Sequence, residues 1–210
     1  MVQFREKGSP LPDPDSQLYR AFAGAHPGIV VRHEYHGTVG ALKAYSMPRL
    51  QGDTVVEAWR SFELEPDRRL VLAEDLAKFY VRSLQVARDS INIGPEERGP
   101  IARTCLGRLD NLRNTLPDRF QPAVEYVQNH MDAFFDPDTS SALVPIHGDL
   151  SLLNILVNQD TGNLTGVIDT AELSVLPFGF DFYAMDNIVG ERSPEGWIEH
   201  DNALEVRDHF

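Results

Sequence analysis

The sequence predicts an α+β chain: a small, partly β opening, a helical middle, and a compact β segment rich in Asp, Asn and Gly. Three observations carry that reading. Short strand-like runs precede Pro48. From Asp67 to Phe135 apolar residues recur at three- and four-residue spacing. Two strand-length apolar runs, Ile155 to Val157 and Leu164 to Ile168, flank the turn-forming residues Asp160 to Asn163.

In order along the chain, Val2 to Arg5 reads as a very short strand and Gly8 to Pro14 as turns. Asp15 or Ser16 caps a short helix whose apolar face is Leu18, Phe22 and Ala25, ending at Pro27-Gly28. Ile29 to Tyr35 and Ala41 to Met47 read as two strands joined by His36 to Gly40, and Pro48 closes the second. A boundary falls between Pro48 and Gly52. Asp67 to Ala87 is a helix with Leu70, Ala73, Leu76, Tyr80 and Leu84 on its apolar face. The two glycines and two prolines of Ile91 to Pro100 read as a loop. Ile101 to Leu112 is a second helix, and Pro122 to Phe135 a third with proline in its first turn. Asp136 to Ser141 reads as an exposed connection. No internal repeat or low-complexity tract interrupts the pattern.

Composition narrows the function classes. With 19 Lys and Arg against 32 Asp and Glu, the formal charge is -13. That field repels phosphate backbones and anionic lipid surfaces, and the sequence holds no basic patch to offset it. Nucleic acid and membrane are therefore not the expected partners. The oligomeric state is not readable. The single cysteine, Cys105, excludes an internal disulfide framework and reads as a buried small hydrophobe. No stretch has the length of a membrane span and no signal-peptide core opens the chain, so a cytoplasmic location is expected. His33 and His36 read as surface histidines on a solvated strand face rather than metal ligands.

The chemistry concentrates between Val144 and Asp169. If the 155–168 hairpin is centred between Thr161 and Gly162 without a bulge, Asn154 and Asp169 face each other across the strands. Side chains so paired have Cβ atoms roughly 4.5–5.5 Å apart on one face. An amide oxygen and a carboxylate would converge there, beside the loop carrying His147 and Asp149. Two oxygen ligands with room for water and phosphate oxygens is how Mg²⁺ is usually held. A bulge would shift the register by one and break the alignment. The spacing His147-Gly-Asp149-x-x-x-x-Asn154 is that of a kinase catalytic loop, in which the Asp takes the substrate hydroxyl's proton and the Asn binds magnesium. Asp169 then takes the place of the carboxylate that bridges metal to phosphate.

His-Gly-Asp-Leu-x-x-x-Asn-Ile-Leu followed by Gly-Val-Ile-Asp resembles the aminoglycoside phosphotransferase (APH) and choline-kinase-like family of small-molecule kinases. The resemblance implies a protein-kinase-like fold of APH type, with a small N-terminal lobe and a mostly helical C-terminal lobe carrying a catalytic hairpin. It implies transfer of the ATP γ-phosphate to a hydroxyl of a small molecule, with Mg²⁺ and ATP as cofactors. Asp149 is implied as base, Asn154 and Asp169 as metal ligands, His147 as a brace of the loop, and Asp181 as a structural residue. Thr170 stands where the family commonly has an aromatic residue.

On this resemblance, residues 1–52 are the remnant of an N-terminal lobe with its hinge, and 53–210 a catalytic lobe incomplete at its end. Tyr45 and Met47 fall in the hinge. The phosphate-binding lysine position falls on Gln3, with Arg5 and Lys7 as displaced substitutes, and no nucleotide-covering hairpin precedes it. A second reading follows: a catalytically impaired, truncated relative that acts as a small-molecule or protein binding module.

Overall fold

Alternation of exposed and half-buried residues makes β1 (Val2–Glu6) a strand with one covered face. In α1 (Gln17–Ala25) the Ser16 hydroxyl accepts the Tyr19 N–H at 3.2 Å, satisfying one of the donors a helix start leaves open. Strands β2 (Glu34–Val39) and β3 (Leu42–Ser46) follow, and all three pair antiparallel in the order β1-β3-β2. The computed structural model describes residues 1–61, 65–90, 95–135 and 142–210.

The expected strand from Ile29 begins only at Glu34. Ile29 and Val30 are held instead by N–H bonds back to the His26 carbonyl, and the Ile29 carbonyl accepts from Val167 at 2.9 Å. Buried Val30 thereby joins the core cluster. The connection is also shorter than expected. Val39 pairs with Leu42, so Gly40 and Ala41 make the turn, with Gly40 at φ 61. His33 is buried, not on a solvated face: its ring nitrogens meet the Tyr19 hydroxyl at 3.1 Å and the Pro12 carbonyl at 2.8 Å. His36 is exposed as expected and lies 2.6 Å from the Ser46 hydroxyl.

Strand β4 (Asp53–Thr54) leads into α2 (Val55–Ser61), an element the periodicity did not suggest. Its signal was local: Thr54 and Glu57 form a capping box, the Thr54 hydroxyl accepting the Glu57 N–H and Glu57 accepting the Thr54 N–H, both at 3.2 Å. The long helix α3 (Pro66–Ser90) matches expectation. Helix α4 (Pro95–Thr115) begins earlier than expected and runs through Pro100, with Glu96 and Glu97 favouring the positive end of its dipole. Residues 91–94 of the anticipated loop, and the anticipated connection 136–141, lie outside the described residues. Helix α5 (Gln121–Phe135) is as expected.

Then come β5 (Leu143–Ile146), β6 (Ile155–Val157), β7 (Leu164–Val167), β8 (Ser174–Pro177), α6 (Tyr183–Val189), the β9 (Gly190–Ser193) and β10 (Gly196–Glu199) hairpin, and α7 (Ala203–His209). Strand β6 lies between β4 and β7, and β5 pairs with β8. One core cluster joins Tyr19 and Phe22 of α1, Leu72 and Leu76 of α3, Ile155 and Val157 of β6, Ile188 of α6 and Val206 of α7. That continuity ties the strands flanked by Asn154 and Asp169 to the helices behind them. No described helix is long and apolar enough to cross a membrane.

Candidate active site

Strand β5 delivers the chain to His147, which is fully buried. Its Nε2–H donates to the Ile168 carbonyl at 2.8 Å and its Nδ1 accepts the Asp149 N–H at 3.3 Å. Both bonds suit a neutral ring, and burial holds the imidazole below its usual pKa. His147 thus ties the loop to the residue immediately before Asp169.

Asp181 holds the same loop from the other side. Its Oδ2 accepts the N–H groups of His147 at 2.7 Å and Gly148 at 3.3 Å, and its own carbonyl accepts the Tyr80 hydroxyl at 2.8 Å. Burial pushes the Asp181 carboxyl upward in pKa, opposed by those N–H donors. Tyr183, which sequence reasoning did not single out, accepts the Leu150 N–H at 2.7 Å. Burial and the nearby Asp181 push its hydroxyl up to about 12, so it stays protonated. Its only sequence signal is its place two residues after Asp181.

Gly148 has φ +82, and an added Cβ would collide with the Glu172 backbone carbonyl. A side chain there is excluded both by conformation and by space.

The polar residues of the loop then meet. Asn154 donates its amide to the Asp149 carbonyl at 2.7 Å and to the Asp149 carboxylate at 3.1 Å. Asp149 itself is exposed. The expected facing of Asn154 and Asp169 does not occur. The register pairs Ile155 with Val167, with an irregularity between Leu156 and Val157, so Asn154 stands opposite Ile168. The Ile168 N–H to Asn154 carbonyl bond of 2.9 Å confirms that offset. Asp169 instead takes a left-handed conformation, φ 61 and ψ 63, the one non-glycine residue with positive φ among the described residues. That conformation costs of order 1–3 kcal/mol and turns the carboxylate out of strand alternation.

What Asp169 meets is Arg5. A guanidinium nitrogen lies 2.7 Å from its Oδ1, while the other two nitrogens donate to the Ser9 carbonyl at 2.8 Å and the Ser9 hydroxyl at 3.2 Å. Gln3 lies two residues back on β1, opposite Tyr45, and makes no polar contact with the loop among the described residues. Of the two residues expected at the phosphates, Gln3 and Arg5, it is Arg5 that reaches the Asp169 carboxylate. Ser9 had no sequence signal. The Met47 N–H and carbonyl are both taken by Met1, at 3.0 and 2.8 Å, and Tyr45 is buried beneath the sheet.

For Mg²⁺ the donors are of the right kind. With the Asn154 amide nitrogen committed to Asp149, its oxygen is left for another partner, and Asp169 has a second carboxylate oxygen beyond the one on Arg5. No group of three or more His, Cys, Asp or Glu side chains that could hold a metal occurs among the described residues. A two-ligand site would leave the remaining positions to water and phosphate. Beside the loop, a cavity of about 370 Å³ is bounded by Gly148, Glu172, Asp181 and Tyr183, with Arg108 at its edge. The larger cavity of about 660 Å³ lies under the front sheet, between the Pro10–Asp15 loop and Tyr35 and Tyr45, and includes none of the loop residues.

Comparison with known proteins identifies the fold. An aminoglycoside-3'-phosphotransferase of type VIII superposes with a TM-score of 0.57 at 17% identity, covering 99% of this chain and 75% of that one. A GDP complex of aminoglycoside 2'-phosphotransferase-IIIa gives 0.55 at 15% identity, over 93% of this chain and 64% of that one. A GDP and kanamycin complex of APH(2")-IIia gives 0.52 at 15% identity, over 93% and 68%. The chain thus spans about two thirds of the last two structures. No curated protein matches the chain. The sequence profile of the phosphotransferase enzyme family, APH, matches residues 15–204, and with the kinase-like fold around His147, Asp149, Asn154 and Asp169 this chain belongs to that family.

Proposed function

We propose that this chain transfers the γ-phosphate of ATP to a hydroxyl group of a small molecule. The observation that carries the reading is the loop 147–154, which presents an exposed carboxylate, Asp149, held by Asn154 and braced through His147 against the strand end that carries Asp169. Phosphoryl transfer asks for little covalent chemistry from a protein. It asks for a positioned base and for positive charge around the phosphates.

In this reading Asp149 accepts the proton of the attacking hydroxyl, and Asn154 fixes the carboxylate's orientation. Arg5 supplies a positive charge beside Asp169, where the phosphate groups approach. Asn154 and Asp169 would hold Mg²⁺, which when bound neutralises phosphate charge. Residues 1–52 make the nucleotide-facing side of the cleft and 53–210 the catalytic side, with Tyr45 and Met47 at the hinge. Because related structures hold GDP, GTP is the nucleotide to compare with ATP.

The test is transfer of labelled γ-phosphate from ATP to a panel of hydroxyl-bearing acceptors, kanamycin among them, by the wild type and Asp149→Asn. Transfer by the wild type alone supports the assignment. Equal transfer by both proteins removes Asp149 from the role of base. A folded wild type that transfers to nothing and binds no nucleotide favours the binding-module reading. The observation on that side is the Met47 backbone, both of whose polar groups are taken by Met1.

A further inference from the structure

A second cavity, of about 380 Å³, lies on another side of the catalytic loop. Its walls come from α2 through Val56 and Trp59, from the loop through Leu152, and from the β9–β10 hairpin through Trp197. Asn187 of α6 and the oppositely charged Glu191 and Arg192 also line it. Its size falls within the range of roughly 300–1,000 Å³ common to small-molecule sites, and such sites are mostly apolar with a few polar groups.

The groove is built rather than incidental. Trp197 is 45% exposed, yet its indole is seated against Gly190: a Cβ added at Gly190 would stand 2.8 Å from the ring and 2.6 Å from the Ile198 carbonyl oxygen. Any larger residue would lift the indole from its place. Trp59 is backed by the His200 ring at a centroid distance of 5.4 Å. A chain with a formal charge of -13 has set two indoles and two aliphatic side chains around a space whose lining charges cancel.

The groove is also mechanically joined to the catalytic residues. Leu152 is three residues from Asp149, so their Cα atoms lie within about 11 Å at full extension. Asn187 sits one turn beyond Tyr183 on α6, its amide on the Tyr183 carbonyl at 3.4 Å, and Tyr183 holds the Leu150 N–H.

We propose that this groove is the subsite for the non-reacting part of the hydroxyl acceptor, and that this part is an uncharged aromatic or alicyclic ring. The proposal rests on the phosphotransferase reading above. It goes beyond that reading by selecting an amphipathic acceptor, a hydroxyl on one end and an apolar ring on the other, over a polar polyamine.

Trp59 and Trp197 are the chain's two tryptophans, so intrinsic indole emission reports on this groove alone. The experiment titrates 4-phenylbutan-1-ol into the full chain, without nucleotide, and follows tryptophan fluorescence, with kanamycin as the polar comparison. It is repeated with Asp149→Asn and Trp197→Ala. The expected result is a saturable change in the wild type and Asp149→Asn, at least tenfold weaker binding in Trp197→Ala, and no saturable response to kanamycin. No saturable change with 4-phenylbutan-1-ol, or equal affinity in Trp197→Ala, overturns the proposal. So does a saturable response to kanamycin of equal affinity. Should Trp197→Ala fail to fold, ¹⁹F spectra of the wild type labelled with 5-fluorotryptophan replace it. Both resonances must then move with the alcohol, and two unmoved resonances overturn the proposal. Binding needs no turnover here. A flat titration beside intact phosphoryl transfer refutes the subsite alone, and saturable binding beside absent transfer refutes the reaction alone.

Discussion

The catalytic loop and the front sheet meet at Asp169, yet they are held in different ways. In the loop, backbone groups are fixed by side chains from outside it, Asp181 holding His147 and Gly148 and Tyr183 holding Leu150, while His147 of the loop bonds outward to Ile168. The front sheet has its polar groups paired among themselves. Met1 takes both backbone groups of Met47, and Ser9 takes two of the three Arg5 nitrogens. The contrast teaches that the two sides meet a ligand differently. Under the proposed function, the loop is organised before any ligand arrives, whereas the front sheet exchanges internal bonds for ligand bonds.

The largest expected effect lies in the loop's chemistry. Asp149→Asn should lower phosphoryl transfer by about 10²–10⁴-fold, the usual contribution of a positioned base, while leaving nucleotide binding near wild type. Steady-state transfer rates beside nucleotide affinities check this. A matching loss of affinity would mean that Asp149 organises the cleft instead.

Next comes the support from behind. Asp181→Ala strands two backbone N–H groups and should cost about 2–4 kcal/mol of stability, measured by urea unfolding. A cost within about 0.5 kcal/mol, the range of an ordinary surface substitution, would deny the loop its preorganisation.

Acid probes the region behind α1. His26 is fully buried, its Nε2 2.9 Å from the Ser83 hydroxyl and its ring stacked on Phe79 at 3.9 Å. Burial, aided by Arg82, lowers its pKa from 6.5 to about 3. The folded protein keeps this ring neutral where an unfolded chain would protonate it, so stability present above pH 6.5 is lost as pH falls toward 3. Between pH 6.5 and 5 the loss from this group should be about 2 kcal/mol. In His26→Leu that part of the pH dependence should vanish, and an unchanged acid profile would exclude His26 as its source.

The smallest effect belongs to the front sheet. Arg5→Ala should change folding stability by about 1 kcal/mol or less, because its ion pair with Asp169 is partly solvated. Its consequence should instead show in nucleotide affinity. A stability loss as large as that of Asp181→Ala would erase the distinction between the two regions.

Sequence periodicity made the helices legible where one face packs on the core, as in α3 and α5. It failed where local signals decide the structure. The Thr54–Glu57 capping box starts α2 before the three-residue spacing is long enough to notice. Ile29 and Val30 are as β-prone as any strand, but their backbone is claimed by His26 and Val167. The proposed catalytic residues were legible as a group because their spacing encodes a loop of fixed length. Their meeting was not, because the irregularity at Leu156 shifted the hairpin by one and a left-handed Asp169 redirected the carboxylate. Arg5 was expected with Gln3 as a phosphate contact, but its pairing with Asp169 depends on Ser9 and on tertiary approach. Tyr183 was invisible for the same reason.

The most direct measurement is the melting temperature of the purified wild type, Asp169→Ala and Arg5→Ala with ATP, with and without Mg²⁺. The account predicts a Mg²⁺-dependent rise in the wild type that disappears in Asp169→Ala and shrinks in Arg5→Ala. A folded wild type with no rise, or an equal rise in all three, would contradict it.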